Sequence, residues 1–332
     1  MVALVFFLLH LRKPILYGTP CEGQPRLPFF DWRRDSVKSI LSGEVKKNSF
    51  DLGESPCRLT HVVFPFYPGQ VPKVKENIEL WRVYQPCVST DRQQKKLNVR
   101  LVFYLGHGAL LDVKTSETIR SEIMTTFNNL PESTRSCFHS VSSEVIVLKK
   151  EDDTHLAGAQ IMFEHMLSGR MSGMSLVGSV LYMEPDMLPV RRGWLEIIAF
   201  DARSSSVFLV RGSQFQGDAK RLPKHYENSD LYHINGNALY CFSGEHLRDL
   251  YFNHVQPWIA ARHSSYESHA YDIDFWDYLY NEDNVCHART LLSLYQYSDV
   301  IVNMWHSNYS LAALLATWPR CALVHGGTQA VP

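Results

Sequence analysis

The residues with the clearest chemical pattern in this chain are two carboxylates two positions apart, Glu184 and Asp186, with Pro185 between them. They follow Leu176 to Met183, a run that is apolar apart from one Gly-Ser pair. That run is too short to span a membrane, and its Val, Leu and Tyr content reads as a buried strand. Side chains at i and i+2 of an extended chain point the same way, so both carboxylates face one side at the strand's mouth. Pro185 and Pro189 end the ladder there, because proline has no amide hydrogen to contribute. Charge at the end of a buried strand costs desolvation unless it is paired or metal-bound. The pair is therefore a candidate divalent-cation site, and in an open α/β sheet it would lie in the ligand-binding crevice beyond the strand ends. The bland alternative is a solvated turn stiffened by proline.

Other groups with chemical potential lie further along. His233-Ile-Asn235-Gly236-Asn237 carries strong turn chemistry, since Asn and Gly tolerate positive φ. It is either a floor of hydrogen-bonding groups for a hydroxyl-rich ligand or a hairpin with local side-chain bonds. Tyr271 to Leu279 sets Asp272, Asp274 and Asp277 among aromatic residues. It reads either as a helix simply packing Ile273, Trp276 and Tyr280 inward or, more sharply, as an element that turns one of Asp272 and Asp274 to a cleft. Gly106-His107-Gly108 imitates a phosphate loop but lacks its third glycine, so it is read as a turn. The run Lys149 to Thr154, which includes Asp153, is an acidic cluster suited to capping the next helix.

The elements that must position these groups alternate. Strands are expected at 61–67, 97–105, 144–148, 176–183 and 207–210. Helices are expected at 74–84, 115–129 and 156–167, with another beginning at Arg191, where Trp194, Leu195 and Ile198 pack inward. This alternation predicts an α/β fold, a mainly parallel sheet with helices on both faces. One domain of this kind would occupy residues 58–332. Residues 1–57 would be an apolar N-terminal segment followed by a proline-rich stem or wrap.

With 332 residues, 45% of them hydrophobic, the chain has enough apolar surface for a sizeable core. A net charge of −1 gives no global basic field, so no nucleic-acid partner is expected. Aromatic residues make up 12%, which suits either ring-stacking surfaces for sugars or simply a large core. Seven cysteines contain no Cys-x-x-Cys pair, so neither a zinc ribbon nor a redox motif is indicated. Val2 to Leu11 is apolar and too short for a full span; it is a truncated anchor or signal-peptide core, or an apolar element of the domain. Asn308-Tyr309-Ser310 is a formal glycosylation acceptor.

Four pieces together carry a resemblance. They are Glu184-Pro185-Asp186 closing an apolar strand, Pro189-Val-Arg-Arg-Gly-Trp194-Leu195, Arg211-Gly212-Ser213, and His233-Ile-Asn235-Gly236-Asn237-Ala-Leu-Tyr240. In this order they resemble nucleotide-sugar-dependent glycosyltransferases of the GT-A fold. The closest likeness is to a group in algal and other microbial proteins that has Glu-Pro-Asp in place of Asp-x-Asp. Ile301 to Trp305 and Leu323-Val324-His325-Gly326-Gly327 resemble that group's ending.

The resemblance implies a single Rossmann-like GT-A domain using Mn²⁺ or Mg²⁺ and a nucleoside-diphosphate sugar as donor. It implies that Asp186 coordinates the metal, with Glu184 reaching the ribose, the sugar or a metal-bound water, and that His325 completes the metal shell. Pro65, Phe66 and Tyr67 would hold the base and ribose, with Asp153 near the nucleotide. Trp194, Arg211, Gly212, His233, Asn235, Gly236 and Asn237 would face the sugar and acceptor. An inverting transfer would need Asp272 or Asp274 as general base, and a retaining one would not. The implied partners are the donor and a glycan or glycoprotein acceptor; membrane association is an option offered by the N-terminal apolar segment, which is shorter than the usual anchor of such transferases. The compartment stays open, the secretory pathway being favoured over the cytoplasm. The competing readings are a non-catalytic sugar- or nucleotide-binding module on the same fold and a metal-dependent hydrolase.

Overall fold

Period-two alternation of apolar side chains sets the centre of the fold. In β1 (Leu59–Phe66) the side chains of Val62, Phe64 and Phe66 enter one core, while Val63 enters a second core on the opposite face. In β2 (Arg100–Gly108), Leu101, Phe103 and Leu105 join the first core and Val102 and Tyr104 the second. A strand sorted in this way needs apolar cover on both faces, the hallmark of a parallel sheet between helical layers. The computed structural model describes residues 56–88, 97–174, 177–204, 207–222, 231–262, 270–281, 284 and 291–329. All belong to the unit Leu52–Pro332.

The remaining strands of the main sheet are β3 (Ser140–Leu148), β4 (Ser179–Tyr182), β6 (Val210–Gly212), β7 (Leu239–Cys241) and β8 (Tyr295–Tyr297). Their order is β3-β2-β1-β4-β7-β6-β8. Strands β1 to β4 are mutually parallel, β7 runs against both its neighbours, and β6 pairs in parallel with β8. The chain builds outward from β1 to β3 and then returns to place β4 on the other side of β1. The direction of winding therefore reverses between β1 and β4, which makes the crevice above them the topological switch point.

Helices α1 (Val71–Leu80), α2 (Val113–Asn128) and α3 (His155–Leu167) make the three crossovers, and α4 (Trp194–Ser204) comes after β4 in the chain. Trp81 just past α1, Phe127 of α2 and Trp194 of α4 cover Phe64 and Phe103 on the first face. Phe163 of α3 packs on Tyr182 and Tyr240 on the second face. There it meets α5, a continuous helical stretch from His246 to Ala260, and α6 (Tyr271–Tyr280). A second sheet, in the order β5-β11-β9, joins β5 (Met187–Pro189), β9 (Ile301–Asn303) and β11 (Leu323–His325). A third pairs β10 (Asn308–Tyr309) with β12 (Thr328–Gln329), and α7 (Leu311–Thr317) follows β10.

The expected α/β architecture is present, with local corrections. Gly106-His107-Gly108 is the end of β2 and not a turn, paired with Ile146, Val147 and Leu148. Its glycines serve packing: a Cβ at Gly106 would meet Met162 Sδ at 2.3 Å, and one at Gly108 would meet Asp153 Oδ2 at 1.9 Å. The run Lys149 to Thr154 does cap α3, through its last member and not its carboxylates: the Thr154 hydroxyl accepts from the Ala157 amide at 3.3 Å. Helix α1 starts and ends earlier than expected and α4 starts at Trp194, while β3 begins four residues sooner. In α6 the inward residues are Tyr271, Phe275, Trp276, Tyr278 and Leu279, whereas Tyr280 is 47% exposed.

Among the described residues two disulfides staple the unit: Cys57–Cys241 joins the entry of β1 to the end of β7, and Cys87–Cys137 joins the segment after α1 to that before β3. Cys321 is reduced and buried. The expected apolar segment Val2 to Leu11 and nearly all of the stem lie outside the described residues. Among the described residues, no helix is long and apolar enough to cross a membrane.

Candidate metal centre and substrate cleft

The same alternation that sorts the core delivers the site. Val180 and Tyr182 of β4 face the second core, and continuing the period brings Glu184 to that side beyond the strand end. Val63, Pro65 and Tyr67 follow the same rule at the end of β1, so Pro65 and Tyr67 line the cleft. Phe66 is out of phase and lies in the first core, 1% exposed. The expected contact of Phe66 with a nucleotide is therefore not available.

The small sheet supplies the third group. Strand β5 starts directly after Asp186 and pairs antiparallel with β11, setting His325 opposite Met187; β11 pairs in parallel with β9, setting His325 opposite Asn303. The His325 Nε2 atom lies 3.5 Å from Asp186 Oδ1 and 3.9 Å from Glu184 Oε2. One ligand atom from each of the three residues lies within 4.8 Å of the others. Around an octahedral ion with ligands at about 2.1 Å, neighbouring ligand atoms are about 3 Å apart and opposite ones about 4 Å. Two carboxylates and an imidazole at these separations fit Mn²⁺ or Mg²⁺, Mn²⁺ being the more tolerant of nitrogen. Gly326 adopts φ +66° directly after His325, and its amide donates to the Asp186 carbonyl at 3.1 Å. A Cβ there would strike Trp305 at 2.8 Å, so the close approach of the two segments requires glycine.

The electrostatics agree with a cation site. Removal from water, with Asp186 alongside, pushes the Glu184 carboxyl up to about 8, against the opposing hydrogen bond of Asn237. Burial lowers the His325 pKa, only partly countered by Asp186 and Asp272; this favours the neutral imidazole, the form that binds metals. Asn237 grips Glu184 at two points. Its Oδ1 accepts from the Glu184 amide at 2.7 Å, and its Nδ2 donates to Glu184 Oε2 at 2.9 Å. The Nδ2 also donates to Asn235 Oδ1 at 2.9 Å, which stiffens the loop. The local side-chain bonding expected of 233–237 is thus present, and it serves to hold a carboxylate.

A cleft of about 280 Å³ opens beside this cluster, with Tyr67, His233, Asn235, Gly236, Tyr271 and Asp272 in its wall. Tyr67 Oη is buried and has no hydrogen-bond partner among the described residues. Asp272, in the first turn of α6, faces the cleft. Its Oδ2 accepts from the Gly236 amide at 2.7 Å and lies 3.5 Å from His233 Nε2. Burial raises its pKa, but the His233 and backbone hydrogen bonds outweigh burial and leave the carboxyl below its ordinary value.

Other expected site residues lie elsewhere. Asp274 turns away into a buried polar cluster, where its Oδ2 accepts from Gln160 Nε2 at 3.3 Å, and burial pushes it up to about 7. Trp194 is fully buried against Trp81 in the first core, so it serves the fold and not a substrate. Arg211 is bound to Asp201 at 2.7 Å and lines a separate recess. Gly212 packs under Ile234 and Ala238, where a Cβ would sit 2.7 Å from Ile234. Asp153 is exposed at the end of β2, against Gly108 and outside the cleft wall. Asn308 is exposed on β10. Asn303 was not singled out from the sequence, yet it touches His325: its Oδ1 lies 3.2 Å from His325 Nδ1. The available signal was one polar residue closing the apolar run Ile301–Val302, two positions before Trp305.

No protein-family model matches the chain, and no curated protein sequence does. Among solved structures, similarity is found to the galactosyltransferase LgtC, with 11% identity and a TM-score of 0.42, covering 80% of this chain and 87% of that one. Mouse xyloside xylosyltransferase 1 matches at 9% identity and TM-score 0.41, covering 80% of this chain and 97% of that one. The glycosyltransferase GlyE of Streptococcus pneumoniae matches at 10% identity and TM-score 0.39, covering 81% and 54%. All three are glycosyltransferases, the class the sequence motifs resemble, and overlap of this extent leaves the function of this chain to be argued from its own site.

Proposed function

We propose that this chain is a divalent-cation-dependent glycosyltransferase that moves a sugar from a nucleoside-diphosphate sugar to a hydroxyl group of a glycan or glycoprotein. The observation that carries this reading is the convergence of Glu184, Asp186 and His325 at the switch point of the sheet, on the rim of a cleft. Asp186 and His325 hold the cation, and Glu184, braced by Asn237, completes the set. When bound, a hard cation there offsets the negative charge that develops on a departing nucleoside diphosphate.

The chain's other residues divide the remaining work. Pro65 and Tyr67, at the end of β1, receive the nucleoside, and Tyr67 Oη offers its unused hydrogen-bonding capacity. His233 and Asn235 present polar atoms to sugar hydroxyls. For an inverting transfer Asp272 is the candidate base by position, since it faces the cleft and its Oδ2 accepts from the Gly236 amide; its lowered pKa makes it a weak base, and a retaining transfer needs none. Asp274 does not share that role, because it is 1% exposed and engaged with Gln160. The reading includes an oxidising, secretory compartment, supported by the two disulfides.

The test is donor turnover. Purified protein is incubated with a panel of sugar nucleotides and Mn²⁺, with Asp186→Ala in parallel. Release of nucleoside diphosphate from one donor, abolished by EDTA and by Asp186→Ala, is the expected result. Absence of binding and turnover with every donor, in protein that is folded, would overturn the reading in favour of a module without catalysis.

A further inference from the structure

We infer that Asn303 is a positioning residue that locks His325 in the Nδ1–H tautomer and so aims the Nε2 lone pair at Glu184 and Asp186; its metal consequence rests on the cation site proposed above. The argument runs through atoms whose roles are fixed. A backbone amide always donates, and the Trp305 amide points at one terminal atom of the Asn303 side chain at 3.1 Å. That atom must therefore be the oxygen, because an NH₂ group there would set two donors against each other. The same oxygen faces His325 Nδ1 at 3.2 Å, so Nδ1 must carry the proton. In a neutral imidazole the other nitrogen then holds the lone pair, and Nε2 is the atom 3.5 Å from Asp186 and 3.9 Å from Glu184.

The arrangement has little room to slip. Asn303 is 3% exposed, its amide donates to Ser213 Oγ at 3.1 Å, and its carbonyl accepts from the Gln216 amide at 2.8 Å. The β9–β11 register sets it beside His325, and the Met304 amide donates to the His325 carbonyl at 2.9 Å. Partners of this kind set both the ring orientation and the basicity of a ligating histidine, and their loss weakens metal binding 10–100-fold on the order-of-magnitude scale.

Two measurements on the full chain test the assignment. The first is the ¹⁵N spectrum of the His325 imidazole in metal-free protein at pH 8, assigned by difference from His325→Gln. Wild type is expected to carry the proton on Nδ1, Asn303→Ala to populate the Nε2–H form, and Asn303→Asp, which keeps an oxygen acceptor, to restore Nδ1–H. The second is Mn²⁺ titration followed by calorimetry. Asn303→Ala is expected to weaken the dissociation constant about 10- to 100-fold with unchanged circular dichroism, and Asn303→Asp to bind within a few-fold of wild type. A proton on Nε2 in wild type overturns the assignment, as does Asn303→Ala that keeps both the wild-type tautomer and the wild-type Mn²⁺ affinity. If wild type binds no Mn²⁺ yet carries the proton on Nδ1, the cation reading alone falls and the tautomer lock stands.

Discussion

Gly236→Ala isolates one steric contact at the site. Gly236 has no positive φ, so alanine is allowed by its backbone and the effect comes from space alone. A Cβ at this position lies 2.2 Å from Tyr271 Oη and 2.8 Å from its Cζ. Ordinary contact begins near 3.4 Å, so Tyr271 or the loop must move by about 1 Å. The Tyr271 ring cannot yield easily, because it stacks on Phe163 at 4.0 Å and both are buried. The Gly236 amide also donates to Asp272, so any yielding of the loop displaces that carboxylate. Overpacking of this kind costs about 1–3 kcal/mol, and a 1 Å misplacement of a reacting group costs on the order of 100-fold in rate. Thermal melting of Gly236→Ala should therefore fall by about 2–10 °C. Donor turnover should drop about 100-fold. Gly236→Ala with Tyr271→Phe removes the closest atom but leaves Cζ at 2.8 Å, so it should recover part of the stability, a coupling read by a double-mutant cycle. A Gly236→Ala protein that melts and turns over like wild type would refute the reasoning.

Other expectations follow from the same geometry. Asp274, ordinarily near 4 when unfolded, is pushed up to about 7 in the fold. The folded chain thus holds a proton that the unfolded chain releases between these values, and stability from this group is present below about 4 and lost as pH rises through about 7. The full swing is on the order of 4 kcal/mol, so urea melts of Asp274→Asn at pH 5 and pH 8 should differ less than those of wild type; equal differences would refute it. Cys57–Cys241 spans a sequence separation of 184, for which chain entropy gives at most about 5 kcal/mol. Cys57→Ser with Cys241→Ser should melt well below wild type, and peptide mapping without reductant should recover both disulfide-linked pairs. Asn308 is exposed in its Asn-Tyr-Ser triplet, so protein secreted from a glycosylating host should lose mass on amidase treatment, and Asn308→Gln should not.

What the sequence determined by itself was local. The runs His61 to Tyr67 and Leu97 to Leu105, and the apolar run before Glu184, were legible as buried strands because burial on both faces demands near-continuous apolar character. Glu184-Pro185-Asp186 was legible as a carboxylate pair on one side of a strand mouth because i and i+2 share a side in any extended chain. The same rule, applied at the end of β1, would have separated Pro65 and Tyr67 from Phe66. Short-range pattern does not decide which distant segments meet: the β5–β11 pairing joins residues more than a hundred positions apart, and even the nearer β9–β11 pairing depends on register. Only those pairings put His325 beside Asp186 and Asn303 beside His325. Likewise Asp272 and Asp274 are two positions apart in the chain, but the helix turns them about 200° apart, and packing of α6 sent one to the cleft and the other to Gln160. Sequence set the ligands' chemistry, and the tertiary fold decided which of them stand within a few ångströms of one another.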